Sequence, residues 1–252
     1  MAIQREKMHL WGIPIDRVDG ETTMAIFEEL METPECSMIV TPNSEIIMAA
    51  SKDAELERLL CEADLMIPDG IGLVYASKIL KQPLAERVTG IDFADRALAR
   101  LAEEGKSVYF LGSKPDGGDG VSVARMAADR KAQEHPGLVI AGTRDGYFKP
   151  EDEEEIVAQI NASGAELLLV ALGSPKQEKF IQRHRHQLKA KVAIGVGGSL
   201  DVWAGTLKRA PEFFRKHGLE WLYRLIQEPS RYKRMAVLPL FMIKVIVTKG
   251  RK

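Results

Sequence analysis

Four short stretches set polar residues at the ends of apolar runs, where side chains can do chemistry. MIPDGIG (residues 66–72) places one carboxylate, Asp69, between Pro68 and the first of two glycines. An isolated acid there serves either as a general base for an attacking hydroxyl or as the cap of the helix that follows. TPNSE (41–45) offers Thr41 and Asn43, suited to hydrogen-bond sugar hydroxyls and amides or to cap a helix. GSPKQE (173–178) reads as a helix start, with Ser174 as cap, Pro175 in the first position and Glu178 near the third or fourth. Lys176 and Gln177 on that first turn would face a ligand. ERVTG (86–90) holds Arg87 in a loop, a cation for an anionic group or for a surface ion pair.

Two glycine-rich joints add backbone donors. Gly112 ends the apolar run of LGSKP, and GVGGSLD carries Gly197, Gly198 and Asp201. Glycines let N–H groups approach an anionic or sugar ligand closely. GVGGSLD lacks the third glycine of G-x-G-x-x-G and comes late in the chain, which argues against a nicotinamide dehydrogenase, and there is no G-x-x-x-x-G-K-[ST] phosphate loop. The acidic run EDEEE (151–155) reads as the charged first turn of a helix after Pro150. Outside it there is no D-x-D pair to hold Mg²⁺ or Mn²⁺ against a nucleotide sugar. His184 and His186 stand two apart and read as solvated on different sides of a helix; His9, His135 and His217 show no ligand spacing. Neither metal nor cofactor is expected. A diphosphate leaving group would have to be met by fixed cations and helix N-termini.

These residues need a scaffold that gathers strand ends. Apolar runs at 37–40, 65–67, 107–112, 138–142, 166–173 and 192–197 alternate with helical patterns near 21–32, 53–62, 70–80, 91–105, 118–134, 150–162 and 176–188. That rhythm predicts an α/β fold, Rossmann-like, with a largely parallel sheet and helices on both faces. In such sheets ligands bind beyond the carboxyl ends of the strands, where the polar joints fall. After Trp203 the pattern turns basic, aromatic and helical. The expected division is a core over residues 1–205 and a basic helical appendage over 206–252.

Charge separates the two parts. The appendage has twelve Lys/Arg against three Glu, a charge of +9, while the remainder carries −10. Arg224, Arg231 and Arg234 stand among Trp221, Tyr223 and Tyr232, a composition that grips a diphosphate or lies on anionic lipid; nucleic acid is the disfavoured partner. The longest apolar stretch, 235–247, holds Pro239 and Lys244 and is too short to span a bilayer. Two cysteines and no apolar leader point to the reducing cytoplasm. A homo-oligomer is left open.

The blocks TPNSE, PDGIG, ERVTGID, LGSKP, DGYF, ALGSPKQE, GVGGSLDVWAG and KRAPEFFRKHGLEWLYRLIQEPSRYKRM, in that order, resemble the WecG/TagA/CpsF glycosyltransferases from about Trp11 to about Met235. The resemblance is nearest to members that move N-acetylmannosamine from its UDP donor to undecaprenyl-diphosphate-linked N-acetylglucosamine, making the wall teichoic acid linkage unit. It implies an inverting, metal-independent transfer, with Asp69 as general base and Thr41, Asn43, Arg87 and Gln177 in the sugar pocket. Arg224, Arg231 and Arg234 would contact the diphosphate. The implied partners are the UDP-sugar, the lipid-linked acceptor and the inner face of the cell membrane, held peripherally. The alternatives are transfer of another UDP-sugar for capsule or exopolysaccharide, and a non-catalytic module that binds nucleotide and membrane.

Overall fold

The computed structural model describes residues 3, 5–117, 120–229, 232, 236–249 and 251. The chain opens with a hairpin that the apolar pattern does not announce. Strands β1 (Lys7–Leu10) and β2 (Ile13–Asp16) pair antiparallel. Trp11 and Gly12 join them, both with positive φ, 53° and 91°. That conformation matches a two-residue hairpin turn to the strand twist.

The other six strands form one sheet. They are β3 (Ser37–Val40), β4 (Leu65–Met66), β5 (Ser107–Gly112), β6 (Val139–Arg144), β7 (Leu167–Ala171) and β8 (Val192–Gly195). All neighbours are parallel, in the order β4-β3-β8-β7-β5-β6, as the α/β reading required. The two-residue strand period sorts side chains into two cores. Met38, Val40, Tyr109, Leu111, Leu168, Val170 and Ala193 face one; Ile39, Val108, Phe110, Leu167, Leu169, Val192 and Ile194 face the other.

Helices cover both faces. On the second face lie α1 (Gly20–Met31), α5 (Gly90–Glu104), α6 (Val123–Glu134) and α9 (Ser199–Trp203). On the first lie α2 (Ser44–Ala50), α3 (Ala54–Cys61), α4 (Ile71–Ile79), α7 (Glu153–Ser163) and α8 (Lys176–His184), together with the hairpin. The acidic run behaves nearly as expected: a short 3₁₀ turn, Pro150–Asp152, leads into α7. His184 does not. It is buried at the end of α8, its Nε2 2.8 Å from Glu153 Oε2, because α8 lays that face against the start of α7; only His186 is solvated.

Beyond residue 205 come α10 (Glu212–Lys216), α11 (Glu220–Gln227) and α12 (Val237–Thr248). The first two have no buried residue. By contrast, α12 packs on α2 and α4, and its Phe241 and Val245, one turn apart, are fully buried. Phe241 meets Trp11 edge-on at 5.6 Å, and Trp11 Nε1 donates to Thr248 Oγ1 at 2.8 Å. No helix among the described residues is long and apolar enough to cross a membrane.

Candidate active site

Strand pairing continues past the strand ends and thereby assembles the site. Ile67 N–H donates to Val40 O at 2.9 Å and Asp69 N–H to Pro42 O at 3.0 Å, so the TPN and PDG joints are zipped together. Val196 N–H donates to Val170 O at 2.8 Å, setting the β8 joint beside that of β7. Above these ends opens a cavity of about 340 Å³. Thr41, Asn43, Asp69 and Arg87 line it, and so do Gln177, Gly197, Gly198 and Arg224. The sheet has brought together residues up to 183 positions apart, from Thr41 to Arg224.

Gly112 and Asp201 do not line the cavity. Gly112 (φ 129°) lets β5 approach β7, where an added Cβ would lie 2.4 Å from Ala171 O. Asp201 Oδ2 accepts from Ser113 Oγ at 2.9 Å beside it. Arg231 and Arg234 lie outside the described residues.

Asp69 is not the cap of α4. That cap is Gly70 (φ 103°), with no side-chain hydrogen bond. The carboxylate turns instead to the next helix, where Oδ2 accepts from the N–H of Gly90, the first residue of α5, at 3.1 Å. Glycine leaves room there: a Cβ would crowd the Thr41 side chain, 3.0 Å from its Oγ1. Oδ1 lies 3.9 Å from Arg87 Nη2 and makes no hydrogen bond among the described residues. Arg87 is itself tied to Glu220 of α11 and, at 3.5 Å, to the carbonyl of Arg215.

Burial beneath these groups is the largest influence on Asp69 and lifts its pKa above the ordinary 3.8. Arg87, the Gly90 N–H and Arg224 pull it down, and Glu220 pushes it up. A helix N-terminus alone would keep the acid weakly basic. The side chain stays 30% exposed toward the cavity, and the burial of its remaining part still outweighs the helix, so the shift is upward.

The neighbouring side chains offer hydrogen bonds of both signs. Asn43 caps α2, its Oδ1 accepting from Glu45 N–H at 2.9 Å and Ile46 N–H at 3.1 Å. That leaves the amide NH₂ for a ligand. Thr41 Oγ1 donates weakly to Gly195 O, at 3.4 Å. Gln177 is buried; its Oε1 accepts from Gly197 N–H at 3.1 Å and its Nε2 donates to Glu178 Oε1 at 2.8 Å. Ser174 is not the cap expected for α8, which starts after Pro175 with no side-chain bond. Glu178 lines the cavity, 3% exposed, rather than closing a capping box. Its only sequence signal is an acid in a first helical turn just past a strand, a pattern that ordinary capping also produces.

Among the described residues, the one group of acids and histidines close enough to share an ion is Asp95, Glu134 and His135. It lies away from the cavity and surrounds the ammonium of Lys131, 2.6 Å from Asp95 Oδ1, which supplies the positive charge.

The profile of the glycosyl transferase WecG/TagA/CpsF family matches residues 8–252. The chain belongs to this family. Two similar relatives are each named N-acetylglucosaminyldiphosphoundecaprenol N-acetyl-beta-D-mannosaminyltransferase. The protein from Bacillus spizizenii is 37% identical over 235 residues, 92% of this chain and 88% of the relative. That from Bacillus subtilis is 37% identical over 216 residues, 86% of this chain and 81% of the relative. In this WecG/TagA/CpsF glycosyltransferase the resemblance of the eight sequence blocks extends along the whole fold. The site lies where a sheet of this kind exposes its strand ends.

Proposed function

We propose that the chain transfers N-acetylmannosamine from its UDP donor to the 4-hydroxyl of an N-acetylglucosamine linked through diphosphate to undecaprenol, the linkage unit of a teichoic acid-type wall polymer. The observation that carries this reading is the geometry of Asp69 on the cavity wall: one carboxylate oxygen is held by Gly90 N–H, and the other makes no hydrogen bond among the described residues, in a space that fits a sugar. Asp69 takes the proton of the acceptor hydroxyl, the oxygen attacks the anomeric carbon from the face opposite UDP, and the C–O bond to the diphosphate breaks with inversion. General-base assistance of this kind contributes roughly 10²–10⁴-fold. Arg87 and Arg224 meet the charge on the diphosphate, with Arg231 and Arg234 assigned the same task, and no metal takes part. The names of the relatives support the acceptor and the sugar transferred.

The exposed side chains of α12 support attachment to the inner membrane face. Leu240, Ile243, Ile246 and Val247 are exposed, beside basic residues at 249 and 251. An apolar strip of this size with basic flanks binds a lipid surface reversibly. Mass spectrometry of the product from synthetic lipid-diphosphate N-acetylglucosamine, offered a panel of UDP-sugars with and without EDTA, tests the reading. The expected product carries N-acetylmannosamine in both conditions. Preferential transfer of glucose or a uronic acid would reassign the donor, and loss of turnover in EDTA would restore a metal to the mechanism.

A further inference from the structure

Glu178 has no task in the scheme above, yet its placement is costly. It is 3% exposed on the cavity wall, and no donor among the described residues reaches its Oε2. Buried acceptors are nearly always paired, so an unpaired one in the wall of a cavity points to a donor that arrives with the ligand.

The other half of the carboxylate is fixed by a chain of donors whose direction is unambiguous. A backbone N–H can only donate, so the atom that Gly197 N–H meets at 3.1 Å must be the oxygen of Gln177. The Gln177 NH₂ then faces Glu178 and donates to Oε1 at 2.8 Å. Gly195 makes room for this amide; a Cβ there would fall 2.5 Å from Gln177 Nε2. Burial raises the Glu178 pKa, opposed first by Gln177 and less by its own N–H and Ser174, neither of which stands in hydrogen-bond geometry to Oε2. The carboxylate is therefore half satisfied, and a ligand donor at Oε2 would complete it and stabilise its charged form.

We infer that Glu178 Oε2 accepts a hydrogen bond from a hydroxyl or amide N–H of an N-acetylhexosamine in the cleft, making Glu178 a specificity-determining residue for the sugar. This rests on the functional reading above and deepens it. Phosphate oxygens offer only acceptors and would be repelled, so Glu178 reads a sugar ring and not the diphosphate. Both substrates carry such a ring, and experiment separates them.

Glu178→Gln keeps size and shape. Its oxygen must still accept from Gln177, so its NH₂ turns into the cavity and replaces an acceptor with a donor. The full chain is titrated calorimetrically with UDP and with UDP-N-acetylmannosamine. Initial rates are then measured against synthetic lipid-diphosphate N-acetylglucosamine at saturating donor. The expected result is unchanged UDP affinity with a loss of roughly tenfold or more in one arm: donor affinity if Glu178 holds the donor sugar, acceptor KM if it holds the acceptor. Glu178→Ala, which removes the acceptor without adding a donor, shows the same pattern. Wild-type values in both arms overturn the inference, since a protonated, donating Glu178 would be mimicked by Gln. Parallel weakening of UDP overturns it too, showing a merely structural role. A wild-type chain that binds UDP-N-acetylmannosamine no better than UDP and forms no product overturns the functional reading itself, a result distinct from both.

Discussion

The floor of the cleft is backbone-paired and holds the buried Gln177 and Glu178, whereas its roof is formed by helices with no buried residue. On the floor, the joints after β3, β4, β7 and β8 continue the ladder of the sheet, and Gln177 and Glu178 are 4% and 3% exposed. The roof, α10 and α11, is held by Arg87–Glu220, by Arg209 to Asp92 at 2.6 Å, and by Gly218 (φ 68°) lying against Ile71. Its anchor is farther along, where α12 buries Phe241 and Val245. The difference assigns unlike duties. Proton transfer needs the rigid floor, where ångström placement matters, while a roof that admits a lipid-linked substrate can be opened at low cost.

The largest expected effect lies on the floor. Asp69→Asn should lower turnover roughly 10²–10⁴-fold while UDP-sugar binding persists, because Asn Oδ1 still accepts from Gly90 N–H. Turnover within a few-fold of wild type would reduce Asp69 to a structural link between the strand end and α5. The same variant carries a stability signature. A carboxyl whose pKa is raised on folding favours the folded state at low pH and loses that contribution as pH rises through the folded value. The melting temperature of Asp69→Asn should therefore pull ahead of wild type as pH rises through the Asp69 pKa, and the two should converge below about 3.8.

The anchor comes next. Phe241→Ala should destabilise the fold by about 3–5 kcal/mol in denaturant unfolding. A cost below about 1 kcal/mol would show that the tail is joined to the core only through the roof. For the same reason, cutting the chain after Trp203 is a poor test of membrane attachment, since it strips buried side chains from the core. Replacing the exposed Ile243 and Ile246 by Ser is cleaner: liposome binding should fall while the melting temperature holds.

Within the roof, Arg224→Ala should raise the KM for the UDP-sugar roughly 10–100-fold with a smaller change in kcat, the scale of a lost hydrogen bond to a charged group. An effect on kcat alone would move Arg224 from the roof's duty to the floor's.

The smallest effects are shifts of the acid limb of the activity profile. If Asp69 is the base proposed above, activity should fall as pH drops through its raised pKa. Arg87 lowers that pKa and Glu220 raises it. Glu220→Gln should move the limb to lower pH and Arg87→Gln to higher pH. Shifts of the same sign would show that the roof acts on Asp69 through packing and not through charge.

Much of the floor was legible because parallel strands are apolar throughout and end in polar joints, so TPN, PDG and PKQ advertise themselves. The hairpin was not, since its four-residue strands are joined by Trp11–Gly12 and not by Asn-Gly or Asp-Gly. The place of Gly112 and Asp201 outside the cavity lining was not legible, because a glycine that admits a ligand and one that admits a neighbouring strand look alike in sequence. Glu178 was hidden by the opposite ambiguity, an acid that suits a helix start equally well in water or in a wall.

The order of residue types along the chain determined the elements, the faces of the sheet, the set of strand-end joints and the basic tail, because periodicity, caps and charge are local properties. Tertiary structure alone decided that β8 inserts between β3 and β7, that Gly90 rather than Gly70 holds Asp69, and that one oxygen of Glu178 has no partner among the described residues. Those outcomes depend on which distant segments meet and on how much water they exclude. Desolvation is a property of the assembled environment, and no residue carries it by itself.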